Sequence, residues 1–266
     1  MNIFVKELKS YRRSLIFWSI GVFLMVASGM AKYAAYSSSG QSINDLIADL
    51  PKSLKAVMGF GVVDLSKISG YYSLLYIYLL LMATIHAAML GASIIAKEER
   101  DKTAEFLFVK PVSRTKIITA KLLAAFTNIV IFNLITLISS ITLIEKYNSA
   151  GEAVNGEIVL TQVGMFILQV LFLVIGSALA AVKRKPRSAP SLATGILLLT
   201  YMLSIAIDLN ENMEGLKYLT PFKYFEAKNL MLGNGLEPIY LVISVLVAAL
   251  FLAITFTFYK KRDLNV

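Results

Sequence analysis

Six long apolar runs divide the chain: Leu15 to Ala31, Tyr71 to Ala96, Ile117 to Ile144, Ile158 to Val182, Ala189 to Ile207 and Pro238 to Tyr259. A helix needs roughly 20 residues at about 1.5 Å each to cross the hydrocarbon core of a bilayer. The pattern therefore predicts an all-α integral membrane protein of six transmembrane helices. It forms one domain over residues 1–266, with both termini on the same side.

The polar stretches between the runs carry their own periodicities. In MNIFVKELKSYRR, Phe4, Leu8, Tyr11 and Leu15 recur at helical spacing, with Lys6, Lys9, Arg12 and Arg13 mostly elsewhere around the helix. That predicts an amphipathic interfacial helix over residues 1–14, its basic residues reaching anionic lipid. A signal peptide is the rival reading of this basic-then-apolar start, and the later spans make the chain polytopic in either case. In the loop 37–70, Ser42 with Asp45 can start a helix, and Leu46, Ile47, Leu50, Leu54, Val57 and Met58 continue the spacing to Gly59. Pro51 divides it into two pieces. Tyr71, Tyr72, Tyr76 and Tyr78 are expected at the membrane interface, where amphipathic rings are favoured.

Within the second span Ala83, Ala87 and Gly91 recur every four residues and leave a smooth stripe for a neighbouring helix. His86 lies beside that stripe. A neutral imidazole bonded to another helix is its default reading, and a substrate or proton role is the alternative. Gln162 and Gln169 share one face of the fourth span, where they bond between helices or line a path. The turn KRKPRSAP, with Pro186 and Pro190, keeps the fourth and fifth spans apart and offers a contact for another protein or for anionic lipid.

The charged segment KEERDKTAEFLFVKPVSRTK, residues 97–116, stands out between two apolar runs. Asp101 or Thr103 can cap a short helix, Glu105 favours its positive end, and Phe106, Leu107 and Val109 make it apolar on part of its surface. Pro111 stops it, and Ser113 can cap the helix that enters the third span. This is either a docking element or an ordinary basic loop whose Phe and Leu rest on headgroups.

Composition and charge narrow the class. The chain is 57% hydrophobic and 16% charged, against about 25% charged in soluble domains. There is no cysteine and only one histidine, so thiol chemistry and histidine clusters are excluded. The side holding the N-terminus, 97–121, 183–187 and 260–262 carries 18 of the 26 Lys and Arg. The positive-inside rule makes that side cytoplasmic, leaving 37–70 and 209–237 as extracellular loops. Net charges of +12 inside and −3 outside make the basicity a topology signal, with no nucleic-acid partner implied.

No phosphate-cradling string of the form Gly-x-x-x-x-Gly-Lys-Ser/Thr occurs, nor Gly-x-Ser-x-Gly, nor His-Glu-x-x-His. If the chain transports at the expense of ATP, another polypeptide hydrolyses it. Two other classes compete: an intramembrane CAAX-type protease using Glu98 and Glu99, for which the further histidines are lacking, and an ion-coupled carrier, which should show midplane carboxylates.

The order Glu98, Glu99, Arg100, then Glu105, Phe106, Leu107, then Pro111, Val112, Ser113, Arg114 and Lys121 resembles the cytosolic loop of ABC-2-type permeases, the six-span subunits of type V ABC exporters. Lys102 before Thr103 and Ala120 before Lys121, where glycine is common, depart from that pattern. The resemblance implies a cytosolic coupling helix within 97–116 that docks on an ATPase, with Glu98, Glu99, Arg100, Glu105, Phe106, Leu107, Pro111 and Arg114 as docking residues. It implies an interfacial connecting helix before the first span. PFKYFEAKNLMLGNG is likewise similar to the short helical hairpin before the last span. It also implies a cavity between protomers lined by the first, second and fifth spans, with Ala83, His86, Ala87 and Thr200 as lining candidates. The resemblance further implies no cofactor on this chain, with ATP and Mg on the partner. The partners implied are two cytosolic ABC ATPase subunits, a second copy of this chain or a paralogous permease, and membrane lipids, in the plasma membrane of a bacterium. The cargo implied is hydrophobic or amphipathic: antimicrobial or cytolytic peptides, peptide antibiotics or lipids, an activity of the drug-resistance kind.

Overall fold

The computed structural model describes residues 2–38, 43–60, 64–103, 112–183, 188–231, 233 and 235–261. All regular structure among them is helical. The helices are α1 (Ile3–Ser38), α2 (Ile43–Ala48), α3 (Lys52–Met58), α4 (Ile68–Arg100), α5 (Arg114–Tyr147), α6 (Asn155–Val182), α7 (Ala189–Leu209), α8 (Ala227–Met231) and α9 (Pro238–Lys261). Two 3-10 segments, Glu211–Leu219 and Pro221–Lys223, lie between α7 and α8. Six helices, α1, α4, α5, α6, α7 and α9, are long and apolar enough to cross a membrane. Helices suit that setting because each satisfies its backbone polar groups within the segment.

Each apolar run lies within one of these helices, and most helices overrun it. The largest difference is at the start: α1 joins the basic segment and the first span in one helix of 36 residues. At about 1.5 Å per residue it is far longer than a roughly 30 Å hydrocarbon core requires.

Helices α4 and α6 are the most enclosed, and they pack on one another more extensively than any other pair. Their approach depends on glycine on both sides. A Cβ on Gly91 would stand 2.1 Å from the Leu173 carbonyl oxygen, and one on Gly176 would stand 2.4 Å from that of Ala88. The small-residue stripe therefore has a partner, the fourth spanning helix, and Ala83 and Ala87 are fully buried. Around this pair, α1 packs chiefly on α5, α7 on α4, and α9 on α6.

Buried polar groups tie the same helices together. The Gln162 amide donates to Tyr72 Oη (3.1 Å), and Asn133 donates to Gln169 Oε1 (3.1 Å). Both glutamines thus bond between helices. Tyr72 and Tyr76 are buried inside the bundle, unlike Tyr78, which is exposed, so two of the four rings expected at the interface are core.

At the end opposite the described termini, Glu152 caps α4 from across the chain, accepting from the Ile68 and Ser69 amides and from the Ser69 hydroxyl. Pro51 separates α2 from α3, and Gly59 closes α3 with φ +75°. Ser42 lies outside the described residues. In the stretch before α9, Phe222, Tyr224, Phe225, Leu230 and Met231 are buried against the bundle, with Phe225 and Leu230 beside Gly164 of α6. Lys223 is held there by Asp208 and Glu226, and Tyr224 stacks on Tyr240 at 4.8 Å. Burial works against the Lys223 charge, but Glu226 and the hydrogen bonds that Lys223 donates to both carboxylates outweigh it and raise its pKa.

Candidate functional site

The two ends of the charged segment leave and re-enter the bundle as the last turn of α4 and the first turn of α5. Ser113 caps α5 as its position suggests, accepting from the Lys116 amide at 3.3 Å. Arg114 donates to the Lys260 carbonyl at 2.9 Å, fastening the start of α5 to the end of α9. Two turns into α5, Lys121 is fully buried.

A buried ammonium costs several kcal/mol unless charge and hydrogen bonds compensate it. Lys121 Nζ donates to Glu98 Oε2 and to the Ile94 carbonyl, each at 2.6 Å, and Glu7 Oε1 stands 3.7 Å away. The other oxygen of Glu7 accepts from Lys97 Nζ at 2.9 Å, which also bonds Ser10 Oγ and lies over the Tyr11 ring. Two carboxylates and two ammonium groups thus close a charge-balanced cluster. It joins α1, α4 and α5 at the foot of the charged segment.

A second level lies deeper in the same three-helix junction. His86 of α4 sits between Trp18 of α1 and Phe132 of α5, with ring centroids 5.3 and 5.0 Å away. Trp18 follows Glu7 by eleven residues, Phe132 follows Lys121 by eleven, and His86 precedes Lys97 by eleven. That interval is about three helical turns, or roughly 16 Å. His86 Nδ1 and Asn128 Oδ1 are buried near this level without a hydrogen-bond partner among the described residues.

The residues expected to dock an ATPase are therefore distributed unequally. Glu98 is turned inward on Lys121, and Arg100 pairs with Asp101 at 3.0 Å. Glu99 and Arg114 are part-exposed at the segment's two ends. Glu105, Phe106, Leu107 and Pro111 lie outside the described residues, as do Arg184, Lys185 and Pro186 of the second turn. Among the proposed lining residues, Ala83, His86 and Ala87 are enclosed within the single chain, and the half-buried Thr200 bonds the Leu197 carbonyl of its own helix. Glu7 and Lys97 were not singled out from the sequence. Their signal was weak but present: Glu7 is the sole acidic residue in a basic stretch.

The sequence matches the family described as ABC-2 family transporter protein over residues 1–264. The chain belongs to the ABC-2 transporter family. No curated protein matches it. As an ABC-2 permease it is a multi-pass membrane protein of a transport system. Members of this family are membrane transport subunits, generally without catalysis of their own, and they normally work with a separate ATPase subunit. In this ABC-2 permease, the charge cluster occupies the place where the segment between the second and third spanning helices meets the bundle.

Proposed function

We propose that this chain is the permease subunit of an ATP-driven exporter, with the basic end cytoplasmic and residues 97–116 carrying a coupling helix docked on a separate ABC ATPase. Two copies, or one copy with a paralogue, pair in the plasma membrane of a bacterium and engage two ATPase subunits. ATP and Mg stay on those subunits. Their closure moves the coupling helices as levers, tilting α4 and α5 and alternating the access of a cavity between the protomers.

The observation that carries this reading is the Lys121 cluster. A push on the segment reaches α4 through Glu98, α5 through Lys121 and α1 through Glu7, so three helices receive it at one point. Within the docking set, Glu98 then shapes the lever, while Glu99, Arg100, Glu105, Phe106, Leu107, Pro111 and Arg114 form the surface offered to the ATPase.

Exposed apolar side chains on α1 (Phe17, Ile20, Leu24) and α7 (Leu199, Met202) supply walls for such a cavity. They suit hydrophobic or amphipathic cargo: antimicrobial or cytolytic peptides, peptide antibiotics or lipids. His86 lies behind that wall and joins the path when α1 carries Trp18 away from α4, whereas Ala83 and Ala87 stay on the stripe packed against α6. Thr200 lies on the α7 side.

Replacing Phe106 and Leu107 by Asp tests the docking. ATPase stimulation by the reconstituted permease should be lost while membrane insertion is retained; unchanged stimulation would remove the docking site from 97–116. Export of a labelled amphipathic peptide into inverted vesicles then tests the cargo class.

A further inference from the structure

At the basic end, two carboxylates are withdrawn from the surface, while Glu99 is part-exposed and Asp101 exposed. Glu7 and Glu98 turn inward on Lys97 and Lys121, and Asp101 is held by Arg100. What faces outward is largely of one sign: Lys6, Lys9, Arg12 and Arg13 on α1 and Lys116 on α5 are exposed. None of these five has an ion pair among the described residues. Burying Glu7 and Glu98 against Lys97 and Lys121 leaves the α1 and α5 side of this end as a predominantly basic rim, which the net charge of the sequence only half reveals.

Between α1 and α5 that rim is indented by a shallow, open groove of about 410 Å³. Its lining is graded along α5. Thr115, Lys116 and Thr119 contribute hydroxyls and an ammonium towards the rim, while Ala120 and Leu123, with Phe4 across from them, make an apolar wall. Cation first and hydrocarbon below is the order of a phospholipid's phosphate and acyl chain. Basic side chains also attract anionic headgroups at about 1 kcal/mol each near a membrane surface.

We propose that this groove seats one anionic phospholipid, its phosphate against Lys116 and an acyl chain along Phe4, Ala120 and Leu123. The occupant bridges α1 and α5 on the outside of the junction that Glu7 and Lys121 bridge from within. It stiffens the foot of the lever, so anionic lipid tunes how well the lever's motion is passed on. This rests on the proposed placement of the basic end at the inner membrane surface.

The test is native mass spectrometry of the full chain in mild detergent, titrated with phosphatidylglycerol or phosphatidylcholine. One phosphatidylglycerol should be retained at least about fivefold more strongly than phosphatidylcholine. Lys116→Ala should lower that retention about fivefold, the factor corresponding to one basic charge near an anionic surface. Ala120→Trp, which fills the groove and keeps the charge, should lower it as well, and Lys261→Ala, a basic residue outside the groove, should leave it unchanged. Thermal melts identify any variant that fails to fold, and Lys116→Gln replaces Lys116→Ala in that event. Equal retention of the two lipids, or an equal loss from Lys261→Ala, would overturn the site and leave only diffuse surface charge. The chain alone suffices for this measurement, so failure of ATPase coupling with retention intact counts against the exporter reading and not against the groove.

Discussion

Lys121 Nζ lies 2.6 Å from Glu98 Oε2, a fully buried cation paired across the two stems of the segment between α4 and α5. Glu98 belongs to the last turn of α4 and Lys121 to the second turn of α5. The pair ties those two helix ends to one another where the segment joins the bundle.

Lys121→Met should therefore be costly in spite of adding an apolar side chain. It leaves Glu7 and Glu98 facing a pocket that has lost its central cation, and breaking a buried pair from one side costs about 3–5 kcal/mol. The loss should appear as a large fall in the thermal midpoint in detergent. The reciprocal exchange Glu98→Lys with Lys121→Glu keeps the charge balance and should recover part of it. A wild-type melt for Lys121→Met would show that the cluster is ornamental.

Gly91→Ala and Gly176→Ala should each destabilise the α4–α6 contact by about 1–3 kcal/mol, the range for overpacking, because the added methyl meets a backbone carbonyl that cannot swing aside. Gly195→Ala supplies the contrast. A Cβ there meets nothing within 4 Å, and replacing a mid-helix glycine by alanine should stabilise by about 0.5–1 kcal/mol. Melts of the three variants side by side decide it, and equal effects would refute the close approach.

On the opposite surface, Asp64 accepts from the Ser66 hydroxyl and amide and from the Asn44 side chain, while Leu65 N–H donates to Asn44. The Ser66 hydroxyl, followed by the Asn44 amide and the Ser66 N–H, holds the Asp64 carboxyl below its ordinary value of 3.8. A carboxyl with a lowered folded pKa stabilises the clasp fully above its unfolded value, and that stability is lost as pH falls through the folded one. Amide exchange at Leu65 and Ser66 should thus show unchanged protection from pH 7 down to about 5, with loss confined to more acid conditions below about 3.8. Asp64→Asn should remove the acid transition. Loss of protection already near neutrality would assign it to another group.

Trp18 is the single tryptophan, and its contact with His86 joins α1 to α4. Its emission is therefore a direct reading of that contact. His86→Leu should change the quantum yield of the resting permease. Trapping the docked ATPase in its nucleotide-closed state should shift emission to the red as the indole leaves the aromatic level. Identical spectra in the open and trapped states would mean that α1 does not part from α4 during the cycle.

The six spans were legible because length and apolarity suffice to define a crossing, and the Ala83, Ala87, Gly91 stripe because a four-residue interval fixes one helical face. What faces that stripe was not legible: Gly176 is 85 positions further on, and only packing brings its carbonyl neighbours to Gly91. Tyr72 and Tyr76 read as interface residues because a tyrosine near the end of an apolar run suits both water and protein. The amide of Gln162 is what draws Tyr72 inward. The charge cluster combines positions 7, 97, 98 and 121, three separate stretches whose carboxylates and ammonium groups look like loop charges until the helices are assembled. Continuity of α1 was hidden for a related reason. The change from amphipathic to wholly apolar at Leu15 marks a change of surroundings and does not require the helix to break.

The eleven-residue interval shared by α1, α4 and α5 advances a helix by about 1,100°, only about 20° beyond three complete turns. Ionic level and ring level are therefore nearly in phase on all three helices. The junction acts as a torsion bar clamped at two heights: twisting any one helix enough to free its ion pair swings its ring out of the upper clamp through the same angle.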